Sequence, residues 1–240
     1  MEVKRRDDED EIICLDSFFL NDNYELTTFT FGSHVVQLLC LQSASTDFDL
    51  TGQMIWPGAM LLNNYLSKNT DILQGCSVIE LGSGVGITGI LCSKFCREVL
   101  LTDHNEEVLK ILKKNIDLQT TSESLGNCSL LAAEILEWAN EYHFKQISEH
   151  YSSGFDLILG ADICFQQCSI PPLFDTVEKL FRLRESNTCK FILGYVSRAK
   201  VMDKLVIDEA ARHGMQVSEV ADTRTVIRNH EGVIYEITLL

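Results

Sequence analysis

The segment spanning residues 78–89 constrains the fold of this chain more than any other. An apolar run at 78–81 passes directly into the turn Gly82-Ser83-Gly84-Val85-Gly86, and residues with a helical pattern follow. Glycine lets the backbone turn sharply and approach a ligand closely. A strand that leads through such a turn into a helix is typical of an open α/β sheet, in which ligands bind beyond the carboxyl ends of the strands.

Strand-like and helix-like patterns alternate from residue 76 onward. Strands are predicted at 76–81, 98–102, 128–132, 155–159, 190–196 and 215–220, with helices at 87–94, 106–118, 173–183 and 201–213. Pro57 suits the first turn of an earlier helix. A last strand, 233–239, follows its predecessor without a helix and should pair antiparallel to it. The order predicts an α/β fold with a doubly wound, seven-strand, Rossmann-like sheet over residues 50–240.

The first 49 residues show a different pattern. Residues 1–10 are charged and have no apolar period, which predicts a disordered acidic tail. Residues 11–49 contain strand patterns at 11–15, 24–31 and 34–41, and Asn21-Asp22-Asn23 and Gly32-Ser33 mark the turns between them. This region is predicted to be an N-terminal antiparallel β appendage.

The net charge of −15 bears on partners. Nucleic-acid binders usually carry a basic patch, so no nucleic-acid partner is expected. An acidic surface can attract a basic protein, although solubility alone is the simpler explanation. The sequence has no run of about 18 apolar residues, so no membrane span is expected. The six histidines show no metal-ligand spacing.

The nine cysteines indicate a reducing compartment. None forms a Cys-x-x-Cys pair, and several lie inside apolar runs, namely Cys40, Cys76, Cys92, Cys128 and Cys189. Free buried thiols explain this pattern more simply than disulfides or a metal site. We therefore expect a cytoplasmic protein, with the nucleus as an alternative.

Two cofactors fit the glycine-rich turn. The spacing Gly84-x-Gly86-x-x-Gly89 satisfies the dinucleotide pattern, whereas Glu80-x-Gly82-x-Gly84-x-Gly86 is typical of S-adenosylmethionine sites. Asp103 ends the next strand, where a carboxylate can accept hydrogen bonds from ribose hydroxyls in either case. Glu80 favours the second cofactor, because its carboxylate can bind the methionine amino group, directly or through water, and would be unfavourable beside a pyrophosphate.

Four further segments carry a resemblance to a known family. They are residues 52–59 (Gly-Gln-Met-Ile-Trp-Pro-Gly-Ala), 136–138 (Leu-Glu-Trp), 156–165, which ends in Asp162-Ile163-Cys164-Phe165, and 29–42. With the glycine-rich turn, they resemble family 16 of the seven-β-strand S-adenosylmethionine-dependent methyltransferases, the protein-lysine branch. In that family the third segment carries an Asp-x-x-Tyr or Asp-x-x-Phe signature, and the fourth resembles a leading hairpin.

The resemblance implies an S-adenosyl-L-methionine cofactor, no metal, and a protein substrate such as a chaperone or another abundant cytosolic protein. We expect a monomer, with no nucleic-acid or membrane partner. The implied cofactor-binding residues are Trp56, Glu80, Gly82, Gly84, Gly86, Asp103, Glu137, Trp138 and Ala161, and the implied catalytic residues are Asp162 and Phe165. On this basis Gly84→Val is expected to abolish cofactor binding while the fold survives.

Several alternatives stay open. Asp162 would orient the acceptor amine and balance its charge, but it could instead cap the helix that follows it. Phe165 stands where the family most often has tyrosine, which weakens the assignment of lysine more than that of methyl transfer. An arginine side chain or a small molecule is an alternative acceptor. A catalytically silent cofactor-binding module and a nicotinamide-dependent oxidoreductase are the competing classes.

Overall fold

The computed structural model describes residues 24–42, 48–121, 128–184 and 188–240. The predicted tail at 1–10 and the predicted strand at 11–15 lie outside these ranges. The strands are β1 (Glu25–Phe31), β2 (His34–Cys40), β3 (Ser77–Leu81), β4 (Glu98–Asp103), β5 (Leu130–Ile135), β6 (Leu157–Ala161), β7 (Lys190–Val196), β8 (Met215–Glu219), β9 (Thr225–Ile227) and β10 (His230–Leu239). The α-helices are α1 (Pro57–Leu66), α2 (Ile87–Cys92), α3 (Glu106–Thr121), α4 (Glu141–His150), α5 (Ile170–Arg182) and α6 (Lys200–Arg212).

The central sheet has the strand order β5-β4-β3-β6-β7-β10-β8, and β9 pairs with β10. Strands β3 to β7 run parallel, whereas β10 is antiparallel to both β7 and β8. The doubly wound α/β fold is therefore confirmed, and so is the antiparallel pairing of the last strand with its predecessor. The strand order reverses at β3, so ligands are expected beyond its carboxyl end and that of its neighbours.

Each face of the sheet has its own core. Helices α1, α2 and α3 cover one face, where Leu66, Cys92 and Leu112 pack against Val99. Helices α4, α5 and α6 cover the other, where Phe174 and Val206 belong to a second cluster that includes Leu100. Adjacent residues of β4 thus point to opposite cores, as the two-residue period of a strand requires. Because both faces of the sheet are buried, the sequences of the inner strands are nearly continuous apolar runs.

The sequence prediction missed two elements. Helix α4 has few apolar positions, and Ile147 is its buried residue, so the helical period is weak. Its start did carry a signal, because the Asn140 side chain accepts hydrogen bonds from the backbone N–H groups of Tyr142 and His143. Strand β9 is only three residues long and escapes a pattern search.

The hairpin β1–β2 forms a separate antiparallel sheet that packs on α2 and α3. Phe31, Val36 and Leu38 share a core cluster with Val85 and Ile90. Two amide side chains from successive turns of α3 cover the outer edge of β2. Asn115 bonds to both the N–H and the carbonyl of Leu39, and Gln119 donates to the Gln37 carbonyl. The predicted appendage is therefore joined to the sheet domain by a shared core.

We expect Asn115→Leu to lower the free energy of unfolding by about 2 kcal/mol. The fully buried Asn115 side chain bonds to Leu39 N at 2.7 Å, Leu39 O at 2.9 Å and Val85 O at 2.9 Å, and leucine leaves these backbone groups unpaired. Urea denaturation measures the loss. The matched control is Asn64→Leu on α1, whose side chain is exposed. Equal stability of the two variants would contradict this role of Asn115.

Candidate functional site

A cavity of about 280 Å³ opens at the carboxyl ends of β3, β4 and β6. It is lined by residues from five segments, within 51–59, 80–88, 103–104, 136–138 and 161–172. Ten of the eleven residues singled out from the sequence line it: Trp56, Glu80, Gly82, Gly84, Asp103, Glu137, Trp138, Ala161, Asp162 and Phe165. The exception is Gly86. The sheet therefore brings together segments that are far apart in the chain.

Two glycines of the turn are required for different reasons. Gly86 has φ 91°, and a Cβ there would lie 2.4 Å from Leu112 Cδ1, so this glycine lets α3 pack on the turn. Gly84 has φ 54°, and a Cβ there would lie 2.6 Å from the Gly52 carbonyl oxygen. The expectation that Gly84→Val spares the fold is therefore wrong, because the added side chain meets backbone and not only the cavity.

Glu80 is the penultimate residue of β3 and lines the cavity. It is 2% exposed, and its Oε2 accepts a hydrogen bond from Gly89 N at 2.9 Å. Burial raises the pKa of this carboxyl to about 7, against the opposing effect of the Gly89 hydrogen bond. The buried hydroxyl of Thr88 lies near the Glu80 carboxyl and lowers its pKa. Within the described residues this hydroxyl makes no hydrogen bond of standard geometry. Both groups are available to a polar ligand.

Asp103 ends β4 beside the same turn. Its Oδ2 accepts from Gly84 N at 3.1 Å, and its Oδ1 accepts from Asn105 N at 3.1 Å. The carboxylate is buried, and His104 Nδ1 lies 3.4 Å from Oδ1. These bonds fix the orientation of the carboxylate at the cavity wall, where its remaining lone pairs can accept hydrogen bonds from hydroxyl groups.

Two tryptophans, Trp56 and Trp138, line the cavity. The indole N–H of Trp56 donates to Thr51 O at 2.8 Å, which fixes the ring at the start of α1. Trp138 lies close to the turn, since a Cβ on Gly82 would sit 3.5 Å from its ring. Glu137 is exposed and accepts from Asn140 Nδ2 at 2.9 Å. The segment 136–138 thus leads directly into the cap of α4.

Asp162 follows β6 and is held on two sides. Its Oδ2 accepts from Gly58 N at 3.0 Å, and its Oδ1 accepts from Arg198 Nη2 at 2.8 Å. Its φ of 60° is left-handed, a conformation that Asp tolerates better than most residues. The side chain does cap a helix, but the helix is α1, more than a hundred residues earlier, and not the one that follows. Asp162 nonetheless lines the cavity, so its position is compatible with both a capping role and a role toward the acceptor.

The structure adds residues that the sequence reasoning missed. Gly58 has no room for a side chain, since a Cβ there would lie 2.6 Å from Asp162 Cβ. Gly194 is equally confined, with a Cβ position 2.8 Å from Gly58 O, and its carbonyl accepts from Asp162 N at 2.8 Å. Arg198 stands just after β7. The rule that singled out Asp162, a charged residue after a buried strand, would have found Arg198 as well.

Phe165 is 40% exposed at the rim of the cavity. Cys164, its neighbour in the signature, is buried, and burial raises the pKa of its thiol to about 12. The thiolate is the nucleophilic form of cysteine, so this thiol is not suited to covalent chemistry. Within the described ranges, no group of three metal-ligand side chains comes together, and no helix is long and apolar enough to cross a bilayer. The eight described cysteines are unpaired thiols.

The charges of the cavity wall indicate which cofactor can bind there. Four carboxylates line it, from Glu80, Asp103, Glu137 and Asp162, and the described part of the chain contributes no lysine or arginine to this lining. A pyrophosphate would meet repulsion from this wall, whereas a ligand with a sulfonium and an ammonium group would be attracted. The residues present therefore fit S-adenosylmethionine and do not fit a dinucleotide.

Known proteins share both the fold and the sequence pattern. By structure, the chain resembles a magnesium protoporphyrin IX methyltransferase from Synechocystis with bound SAM (TM-score 0.53, 14% identity, 82% of this chain and 86% of that one). It also resembles a TehB-like SAM-dependent methyltransferase from Corynebacterium glutamicum (TM-score 0.52, 16% identity, 79% and 90%). At these identities the likeness establishes the fold.

By sequence, the chain is 30% identical over 158 residues to the protein N-lysine methyltransferase METTL21A of Mus musculus, which covers 65% of each protein. It is 26% identical over 164 residues to methyltransferase-like protein 22 of Homo sapiens, covering 64% of this chain and 40% of that protein. The matched region thus spans less than two thirds of these relatives. The model of the family described as lysine methyltransferase matches residues 38–210. The chain therefore belongs to the lysine methyltransferase family.

Proposed function

We propose that this protein is an S-adenosylmethionine-dependent methyltransferase that methylates the side-chain nitrogen of a lysine in a protein substrate. The observation that carries the proposal is the cavity at the carboxyl ends of β3, β4 and β6, whose wall, as far as the chain is described, holds four carboxylates and no lysine or arginine. The cofactor carries a sulfonium and an ammonium group, and the product of methyl transfer to a neutral lysine amine is an ammonium, so one acidic wall suits both.

The residues of the cavity divide between the parts of the cofactor. We assign Glu80 to the methionine amino group and Asp103 to the ribose hydroxyls, because both stand at the carboxyl ends of parallel strands. The segment 136–138 is assigned to the adenine side. When bound, S-adenosylmethionine supplies an electrophilic methyl group on a sulfonium. The ring of Trp56 is assigned to this charged part, because aromatic faces attract cations.

The acceptor nitrogen must enter as a free amine. A lysine side chain has an ordinary pKa of about 10.4, and an apolar entrance favours its neutral form. Trp56 and Phe165 supply such an entrance, since both line the cavity and Phe165 stands at its rim. Asp162 can accept a hydrogen bond from the amine and balance the charge of the ammonium product. The residues thereby supply alignment and exclusion of water.

The protein substrate is inferred from the family and from charge. The relatives include a calmodulin-lysine N-methyltransferase of Arabidopsis thaliana, 28% identical over 148 residues, and METTL21A is named a protein N-lysine methyltransferase. The net charge of −15 favours approach of a basic protein surface. We further propose that the protein works as a monomer in the cytoplasm, where the eight described thiols stay reduced.

Calorimetric titration tests the cofactor assignment. S-adenosylhomocysteine, which has the amino group and ribose of the cofactor without the methyl group, should bind to the purified chain, and NAD should not. Binding of NAD without binding of S-adenosylhomocysteine would refute the proposal and restore the oxidoreductase alternative.

The affinity for S-adenosylhomocysteine should rise with pH up to about 7. Burial raises the pKa of Glu80 to about 7 in the ligand-free protein, and the ligand's ammonium group pairs with the ionised carboxylate. At pH values where Glu80 is protonated in the free protein, ligand binding must therefore release its proton. The affinity for S-adenosylhomocysteine falls as the pH drops below this pKa. We expect about a 20-fold difference between roughly pH 5.5 and 7.5, measured by titration at constant ionic strength.

The Glu80→Gln variant is the control for this pH dependence. The amide can still accept the Gly89 hydrogen bond, but it does not titrate, so the slope should disappear. A slope that persists in this variant would show that Glu80 is not the titrating group and would contradict its assignment to the amino group.

A further inference from the structure

We infer that Arg198 is a positioning residue of the methyl-transfer site, which holds the Asp162 carboxylate charged and oriented at the cavity wall. The inference rests on the proposed function. Arg198 does not line the cavity, so it acts through Asp162 and not by contact with a ligand.

The geometry places Arg198 behind the carboxylate. Arg198 Nη2 donates to Asp162 Oδ1 at 2.8 Å, while Oδ2 accepts from Gly58 N at 3.0 Å. The backbone N–H of Asp162 is bonded to Gly194 O at 2.8 Å. A carboxylate has about four lone-pair positions, so these two bonds leave acceptor capacity for an amine in the cavity. The arginine thus removes one rotational freedom of the side chain without occupying the cavity.

The contacts of Asp162 with Gly58 and Gly194 also hold the neighbouring part of the cavity wall in place. Gly58 follows Trp56 by two residues, so the bond to Asp162 Oδ2 ties the start of α1 to the end of β6. Gly58 and Gly194 pack so closely around Asp162 that a Cβ on either would lie within 2.8 Å of a neighbouring atom. Hydrogen bonds from its backbone N–H to Gly194 and to its carboxylate from Gly58 and Arg198 hold Asp162 in the left-handed conformation, with φ 60°. Arg198 is the member of this group that carries a compensating charge.

That charge matters because Asp162 is buried. Its side chain is 3% exposed, whereas the Arg198 side chain is 24% exposed. Burial raises the pKa of Asp162, and Arg198 is the largest opposing influence, followed by the Gly58 hydrogen bond and by His230 at the start of β10. Cys164 also faces the carboxylate and is neutral, since burial raises the pKa of its thiol. Without Arg198 the pKa of this carboxyl would rise further, so over a wider pH range it would be protonated and lack the charge that balances the ammonium product.

A second arginine provides a matched control. Arg212 pairs with Glu209 in α6 at 2.8 Å, and Glu209 is likewise a buried carboxylate with a side chain 3% exposed. Neither residue lines the cavity. Loss of Arg212 therefore removes the cationic partner of a buried carboxylate without touching the proposed site.

The test measures the pKa of Asp162 directly and without cofactor, by NMR titration of protein labelled with carbon-13 at the aspartate carboxyl groups and assigned with Asp162→Asn. Arg198→Met should raise this pKa by one unit or more, because an opposite charge at this distance lowers a carboxyl pKa by about 1–3 units. Arg198→Lys should give a smaller rise, and Arg212→Met none. An unchanged pKa in Arg198→Met would overturn the inference. Where the methionine variant does not fold, Arg198→Gln, which keeps an N–H donor without the charge, replaces it, and an unchanged pKa in that variant overturns the inference as well.

The kinetic arm separates positioning from a purely structural role. In Arg198→Met, the acid limb of the kcat profile should move to higher pH by the measured pKa shift, so kcat on that limb should fall about tenfold for each pH unit by which the limb moves, with little change in KM. Arg198→Lys should recover part of kcat, and Arg212→Met should match the wild type. A raised KM with an unchanged kcat profile would mean direct substrate contact and overturn the inference. If the wild type transfers no methyl group, the proposed function fails, while the NMR titration still decides the link between Arg198 and Asp162.

Discussion

Asp162→Asn is expected to lower methyl transfer about 100-fold while the affinity for S-adenosylhomocysteine changes less than about threefold. The asparagine keeps the size of the side chain and can still accept from Gly58 N, but it loses the charge that balances the ammonium product. It also leaves Arg198 without its anionic partner. Turnover under saturating cofactor and titration with S-adenosylhomocysteine, on the same preparation, measure the two effects.

The control for this variant is Asp203→Asn. Asp203 also orients two neighbours at a helix start, accepting from Tyr195 Oη at 2.6 Å and from Ser197 Oγ at 3.0 Å, but it does not line the cavity. Both variants replace a charged acceptor with a neutral one, so both should lose stability by about 1 kcal/mol, and only Asp162→Asn should lose turnover. Lost stability with preserved turnover in Asp162→Asn would mean that this residue serves only as the cap of α1.

Glu80→Gln should weaken the binding of S-adenosylhomocysteine about 100-fold at pH 7.5, because a hydrogen bond between charged groups contributes about 1.5–3 kcal/mol. The variant should also be at least as stable as the wild type above pH 7. The folded protein raises the pKa of Glu80 from 4.5 to about 7, so ionisation of this buried carboxyl destabilises the fold as the pH rises between those values. Glutamine removes that cost and retains the acceptor for Gly89.

The combination of higher or equal melting temperature with lost binding is the diagnostic result, since it excludes unfolding as the cause. Glu134→Gln, at an exposed position on β5, is the matched control and should leave both properties unchanged. Retained affinity in Glu80→Gln would move the amino-group site elsewhere in the cavity.

Much of this site could be predicted because its groups stand at strand ends. Glu80, Asp103 and Asp162 each close or follow an apolar run, and a parallel sheet brings such ends to one edge. The two-residue and helical periods likewise indicated the strands and helices that form that edge. Motif spacing also singled out Gly84, but for contact with the cofactor. In the structure a side chain at Gly84 is excluded by Gly52, which belongs to a different segment.

The partners of Asp162 could not be predicted from local pattern. Gly58 lies 104 residues before it and Arg198 lies 36 after it, and their approach depends on how α1 packs across β6 and β7. The capping role was therefore assigned to the wrong helix. Helix α4 was missed for a related reason, because its capping residue Asn140 was a clear signal while its apolar face was too narrow to form a period.

The central claim, methyl transfer to a lysine of a protein, is tested most directly by labelling. A cell lysate depleted of this protein is incubated with tritiated S-adenosylmethionine, with and without the purified chain, and the labelled proteins are hydrolysed to amino acids. We predict a protein band that is labelled only when the wild-type chain is added, with the label recovered as methyllysine, and a much weaker band with Asp162→Asn. Label recovered as methylarginine or in small molecules, or no label from a chain that binds S-adenosylhomocysteine, would contradict the claim.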